Sequence, residues 1–270
     1  MTGKAIRLDR IWNRETKRTV IIPMDHGAGE GPMPGLINLS ESVNKVAEGG
    51  ANAVIGHVGL ALHAHRKAGR DIGLLLHLSV STRVNALDKN DKVLVNTVEN
   101  ALKMGADGVS VHINIGSQTE SEQLRDLGHI SLKCMEWGVP LLAMMYPRGE
   151  GLTGLEKSSD MASLAARVGA ELGADIVKTY YTGDPDSFQK VTEGCMAPVI
   201  IAGGSKLSDA ETLEMVWGSI QGGGAGVAMG RNAFQHDAPD RLVASVVSLV
   251  HENATVEQAK KVLTSKVFAL

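Results

Sequence analysis

Eight short apolar runs punctuate the chain, at 19–24, 51–56, 72–78, 108–113, 139–145, 175–180, 198–202 and 226–229. Each has the length of a strand, and most are apolar over consecutive residues rather than at alternate ones, as a parallel strand covered on both faces requires. Between them lie stretches with helical spacing of apolar residues, at 39–48, 91–104, 121–137, 159–172, 185–192 and 209–220. This alternation predicts a single (β/α)8 TIM barrel over 1–270, with a short polar N-terminal arm and a C-terminal helical extension at 241–251 and 255–266. A recurring tripeptide supports the strand count. Gly50-Ala51-Asn52, Gly105-Ala106-Asp107, Gly173-Ala174-Asp175 and Gly224-Ala225-Gly226 mark the junctions into runs two, four, six and eight, a period of two βα units.

Composition narrows the function classes. Of 270 residues, 43% are hydrophobic and 21% charged, the balance of a packed globular domain rather than a disordered chain. A net charge of −3 and 3% aromatics supply neither the basic field nor the stacking surface of a nucleic-acid binder, so no nucleic-acid partner is expected. No apolar run reaches the roughly 18 residues of a membrane span, and Met1-Thr2-Gly3-Lys4 lacks the apolar segment of a signal peptide. The expectation is a cytoplasmic protein with no membrane partner. Cys134 and Cys195 have neither the density of a disulfide framework nor the spacing of a zinc site. An anionic substrate would have to be bound by local groups.

One polar residue stands out within the apolar runs. Asp175-Ile176-Val177-Lys178-Thr179-Tyr180 carries a lysine at its end, and an ammonium on a buried strand loses hydration unless it releases its proton near neutral pH. Deprotonated, such a lysine attacks ketones and aldehydes; the plainer alternative is a stem that snorkels to solvent. In a barrel the residues just after each strand share one face, which here gathers Asp25, His26, His57, His77, His112, Tyr146, Lys178, Gly203-Gly204 and Gly230-Arg231. That company favours the nucleophile. Asp25 can take a proton from a substrate hydroxyl or be a turn aspartate, and Tyr146 can relay protons or plug the mouth. Gly203-Gly204-Ser205-Lys206 and Gly230-Arg231 fall where barrels hold phosphate on backbone N–H groups. Lys206 is a rival imine-forming lysine, although a polar glycine turn suits a solvated contact better. His57, His77 and His112 could hold a catalytic zinc, but they lack short ligand spacing; no metal and no cofactor are expected.

Pro23-Met24-Asp25-His26-Gly27, Met145-Tyr146-Pro147-Arg148-Gly149, Val177-Lys178-Thr179 with Thr182-Gly183-Asp184, Gly203-Gly204 and Gly230-Arg231 follow one another in this order. Over about 9–236 the chain resembles the archaeal-type class I aldolase family. The resemblance implies a Schiff base on Lys178, with Asp25 as base and Tyr146 as proton donor. It implies a substrate held by Asp25, His26, Gly27, Ala28, Gly29, Tyr146, Pro147, Arg148, Lys178, Gly203, Gly204, Gly230 and Arg231, with its phosphate on the two glycine turns. Met144-Met145-Tyr146-Pro147-Arg148 resembles the transaldolase branch, which moves a hydroxyacetone unit from the sugar phosphate 6-deoxy-5-ketofructose 1-phosphate to L-aspartate semialdehyde on a route to aromatic amino acids. The alternative is the fructose-bisphosphate aldolase branch. That branch tends to carry a tryptophan near Met144 and a glutamate-histidine pair after the first Asp-His-Gly, where this chain reads Ala28-Gly29-Glu30-Gly31-Pro32. A barrel that binds a sugar phosphate without catalysis is the second alternative. The family likeness also implies a homo-oligomer, in the manner of a decamer.

Overall fold

The structure, a computed structural model, describes residues 2–84, 90–152, 154–156 and 158–265. Eight strands form its centre: β1 (Thr19–Pro23), β2 (Ala53–Gly56), β3 (Gly73–His77), β4 (Gly108–Ile115), β5 (Leu141–Pro147), β6 (Ile176–Thr179), β7 (Val199–Ala202) and β8 (Gly226–Ala228). They close into a parallel barrel in the order β1-β8-β7-β6-β5-β4-β3-β2. The fold is the expected TIM barrel. Its strands serve two cores at once, because successive side chains point to opposite faces. Ile21, Ile55, Leu75, Leu142, Ile176 and Ile200 fill the interior, while neighbours such as Val20, Val54, Leu74, Leu141, Val177 and Ile201 pack outward against the helices.

Most of the expected helices form with a capping side chain at their first turn. Asn38 accepts from Glu41 N ahead of Leu39–Glu48, Ser158 from Met161 N ahead of Ser159–Glu171, and Ser208 from Glu211 N ahead of Asp209–Gln221. Two stretches depart from the expectation. Of the helix expected at 91–104, only Val98–Lys103 is helical, begun by Thr97 accepting from Asn100 N. Val93–Leu94, part of a β-branched run, pairs antiparallel with Ser79–Val80 in a two-stranded ribbon. A short helix, Val58–His63, also follows β2 where none is expected. The C-terminal extension is helical at Val256–Thr264, and Lys266 lies outside the described residues.

The polar arm is itself a helix, Thr2–Ile11, lying across the end of the barrel where the strands begin. Ile11 is fully buried and, with Leu8 and Trp12 packed beside it, joins the interior core. Arg10 Nε donates to Asp107 Oδ1 at 2.6 Å and Lys4 Nζ to Asp175 Oδ1 at 2.8 Å. Those two carboxylates belong to the recurring junctions, whose purpose is now visible. Asn52 Oδ1 accepts from Val20 N at 2.7 Å, Asp107 Oδ2 from Leu74 N at 3.0 Å and Asp175 Oδ2 from Leu141 N at 2.8 Å. Each therefore ties the beginning of an even strand to the preceding odd one. The glycines before them, Gly50, Gly105 and Gly173, have φ of 90°, 79° and 92°, a left-handed turn that a side chain would strain. At the fourth junction the left-handed residue is Gly223, with φ 81°. The true fourth copy is therefore Gly223-Gly224-Ala225, one residue earlier than the tripeptide match, and Ala225 stands in the place of the carboxylates.

Candidate active site

The inward phase of each strand, carried past its apolar end, sets the mouth of the barrel. Ile21, Pro23 and Asp25 share one phase, as do Ile55 and His57, Leu75 and His77, Leu142, Met144 and Tyr146, and Ile176 and Lys178. Asp25, His57, His77, His112, Tyr146 and Lys178 thus line one cavity of about 500 Å³ together with Gly203, Gly204, Gly230 and Arg231. Strand register places Lys178 level with Met144 on one side and Ile200 on the other. The lysine is buried, at 6% exposure, so it does not snorkel.

Burial pushes the Lys178 ammonium down from 10.5 to about 8; Asp25 opposes this shift and Arg148 reinforces it. Burial alone would raise Asp25, but His77, His26, Lys178 and His57 together hold its carboxyl at about 2. Burial also drives His77 down to about 4. His77 is then uncharged at neutral pH, and Lys178 is the cation that stabilises the Asp25 carboxylate there. Asp25 precedes the short helix His26–Glu30, yet its side chain makes no capping hydrogen bond, so the turn-aspartate alternative does not describe it. Its Oδ2 lies 3.7 Å from His77 Nε2 and its Oδ1 3.5 Å from His26 Nδ1. Burial raises the Tyr146 phenol above its ordinary value, which keeps the proton on it at neutral pH.

The histidines are engaged with protein groups. His57 Nδ1 lies 3.1 Å from His77 O, His77 Nδ1 2.8 Å from Ser110 Oγ, and His112 Nε2 2.9 Å from Asn114 Oδ1. Among the described residues no group of three or more His, Cys, Asp or Glu is disposed to hold a metal ion.

On the β7–β8 side, Asn232 Nδ2 donates to Gly203 O at 2.9 Å, its Oδ1 accepts from Leu207 N at 2.8 Å, and Arg231 Nη2 donates to Gly204 O at 2.9 Å. These bonds join the two glycine turns into one wall. A Cβ at Gly230 would stand 2.5 Å from His26 Cε1 and 2.7 Å from Pro23 O, so only glycine lets β1 and β8 approach here. His26 Nδ1 and Arg231 Nε are buried there without a hydrogen-bond partner among the described residues. Lys206 does not line the cavity; its Nζ donates to Gln235 O at 3.1 Å.

The cavity is also lined by Ser79 of the ribbon, by Ser81, Thr82, Arg83 and Lys92 beside it, and by Arg148 and Tyr180; Arg83 N donates to Gly29 O at 3.0 Å, on the β1 side. Of the residues expected to bind substrate, Gly27 and Ala28 line a neighbouring cavity of about 480 Å³ that shares Asp25 and His57. Pro147 lies in the outward phase of β5 and reaches neither cavity. Tyr180 and the ribbon residues escape the sequence reading. Tyr180 continues the Lys178 phase by two residues, a signal that was present, whereas Ser81 and Lys92 meet only through the fold beside the ribbon.

Comparison with known proteins bears on this arrangement. The profile of the DeoC/LacD family aldolases matches residues 19–236. The chain belongs to the DeoC/LacD aldolase family. It is 45% identical over 258 residues to 2-amino-3,7-dideoxy-D-threo-hept-6-ulosonate synthase 1 of Archaeoglobus fulgidus, covering 96% of this chain and 95% of that one. It is 38% identical over 254 residues to 2-amino-4,5-dihydroxy-6-oxo-7-(phosphonooxy)heptanoate synthase of Streptomyces griseus, covering 94% and 92%. A Schiff-base-forming fructose-1,6-bisphosphate aldolase superposes on this aldolase-family chain with a TM-score of 0.82 at 27% identity, over 92% of this chain and 100% of that one.

Proposed function

We propose that the chain is a Schiff-base transaldolase that makes 2-amino-3,7-dideoxy-D-threo-hept-6-ulosonate. The observation that carries the reading is Lys178, a buried amine lowered to about 8, with the Asp25 carboxylate and the Tyr146 phenol in the same cavity. Lys178 Nζ adds to the methyl-side ketone of 6-deoxy-5-ketofructose 1-phosphate, and loss of water leaves an iminium. Asp25 takes the proton of the hydroxyl beside the scissile bond. That carbon–carbon bond breaks, its electrons enter the iminium as an enamine, and hydroxypyruvaldehyde phosphate departs. The enamine then attacks the aldehyde of L-aspartate semialdehyde, a proton returns to the new alkoxide, and water releases the seven-carbon product. Tyr146 supplies the proton for loss of water from the carbinolamine. Gly203, Gly204, Gly230, Arg231 and Arg148 line the parts of the cavity that receive the two arms of the substrates. Met144, only 2% exposed beside Lys178, supports this reading over fructose-bisphosphate cleavage, since a thioether adapts to different carbon chains better than a flat indole.

The test is reductive trapping. Borohydride with the keto-sugar phosphate should add mass to the peptide containing Lys178, and Lys178→Arg should abolish the adduct with the fold intact. An adduct on Lys206 would defeat the site assignment. Incubation with both substrates should yield the seven-carbon amino keto acid; rapid cleavage of fructose 1,6-bisphosphate without that product would favour the aldolase reading. A homo-oligomer is part of the proposal. Its support is the exposed Leu132, Met135 and Trp137 on the helix Glu120–Trp137, and mass photometry measures it.

A further inference from the structure

Lys178 stands on β6 between two walls that both bear positive charge. β7 on one side ends on Gly203-Gly204, joined to Arg231; β5 on the other ends on Tyr146-Pro147-Arg148. A carbon chain joined to Nζ through its ketone therefore has one arm toward each wall. For a seven-carbon 2-amino-6-oxo acid the arms are unequal, with one carbon beyond the ketone on the short side and five on the long side, ending in the carboxylate.

The two walls differ in what they recognise. The β7–β8 wall offers backbone amides, which suit a phosphate. The other wall offers a planar guanidinium held in an unusual way. Arg148 Cζ lies 4.8 Å from the centre of the Tyr146 ring and 5.4 Å from that of Tyr180, and Arg148 Nε donates to the Tyr180 hydroxyl. The two rings are themselves 4.8 Å apart. Among the described residues no Asp or Glu oxygen lies within 4.0 Å of this guanidinium. Its direction is fixed by phenols, and no carboxylate among the described residues is paired with it. Arg83, paired with Glu30 at 3.7 Å, and Lys92, which donates to Ser81 Oγ, also line the cavity. A pre-oriented guanidinium fork matches a carboxylate through paired hydrogen bonds.

We propose that Arg148 is the carboxylate contact for the incoming amino aldehyde, and that Tyr180 is the positioning residue that aims it. The inference rests on the transaldolase reading. It places the short arm against Gly203-Gly204 and the long arm against Arg148, and it moves the donor's phosphate from the glycine turns to Arg148. The departing aldehyde leaves from the carbon that the acceptor joins, so its phosphate and then the acceptor's carboxylate occupy one site in turn. The S. griseus relative's product name carries a phosphonooxy group on the short arm and the same amino-acid end on the long arm, which this division of the cavity accommodates.

The experiment compares two acceptors on the intact protein: aspartate semialdehyde and 3-aminopropanal, which lacks only the carboxylate. The unaltered protein should prefer the first in kcat/KM by roughly 10- to 100-fold, the range of one charge-assisted hydrogen bond. Arg148→Met should bring the ratio to within about threefold and Tyr180→Phe to an intermediate value, because the ratio cancels any effect on the chemical steps that both acceptors share. Inorganic phosphate should compete with aspartate semialdehyde in the unaltered protein, a measurement that needs no variant to fold. A ratio unchanged in Arg148→Met and Tyr180→Phe, or phosphate inhibition that is not competitive with the acceptor, overturns the assignment. Borohydride trapping of hydroxyacetone, which has no anion, serves as the separate arm: an adduct at Lys178 supports the transaldolase reading whatever the acceptor ratios show, and its absence removes that reading and the subsite with it.

Discussion

Lys178 is destabilising where it stands. The folded chain releases its proton near pH 8, whereas an unfolded lysine holds it to about 10.5. Between those values the unfolded state binds more protons, so stability rises with pH through that window and the full cost is carried below it. Lys178→Met should accordingly raise unfolding stability at pH 7 by up to about 3 kcal/mol and flatten the dependence of Tm between pH 8 and 10.5, as thermal melts across that range would show. In the Schiff-base role proposed for Lys178 the same titration sets reactivity, because only the free amine attacks a ketone. Trapping by borohydride should accelerate from pH 7 to 9 and then level; a rate that is flat over this range would contradict the lowered amine. Turnover should survive EDTA, since the iminium is the electron sink, and loss restored by zinc would shift attention to His57, His77 and His112. The sequence made the shared place of Lys178, Asp25 and Tyr146 at the barrel mouth legible because each is a polar group at the end of a largely apolar run. Tyr180 was harder to see: β6 ends at Thr179, and nothing in the sequence guarantees that the strand's phase continues beyond it.

The junctions between helices and even strands are the elements on which barrel closure depends. Asp107 serves two partners, the Leu74 amide and the Arg10 guanidinium, and the two can be separated. Asp107→Asn keeps an oxygen for Leu74, as Asn52 already does for Val20, and loses only the charge. Asp107→Ala strands a buried amide and should cost a further 1–3 kcal/mol or so in urea unfolding; equal losses in the two variants would show that the amide bond contributes little. Repetition in the sequence revealed these junctions but not their phase, since Gly-Ala-Gly at 224–226 matches the tripeptide while the left-handed glycine is Gly223. The same limit explains the ribbon. Val93-Leu94-Val95 fits the apolar spacing of a helix as well as a strand, and what decides between them is the partner at Ser79–Val80, together with Ser79 Oγ accepting from His112 N at 3.1 Å, contacts that no local pattern contains.

For the molecule as a whole, the eightfold alternation was readable because parallel strands wrapped by helices must be apolar on both faces. The stopper at the base was not, since Thr2–Ile11 is polar along most of its length and only Leu8, Ile11 and Trp12 enter the core. Ile11→Ala should cost about 2–5 kcal/mol, measured by chemical denaturation, which is more than its place in a polar arm would suggest. The seating of this helix also bears on the order of events at the ribosome. The first dozen residues emerge before any strand they close off, and the interior core that Ile11 joins is complete only when Ala228 has been made. A segment synthesised before every strand must therefore settle after the last of them, over contacts of long sequence separation. With Trp137 and Trp217 replaced by phenylalanine, the emission of Trp12 in a stopped-flow refolding experiment should lag behind the far-ultraviolet signal of the helices, marking the moment at which the ring shuts.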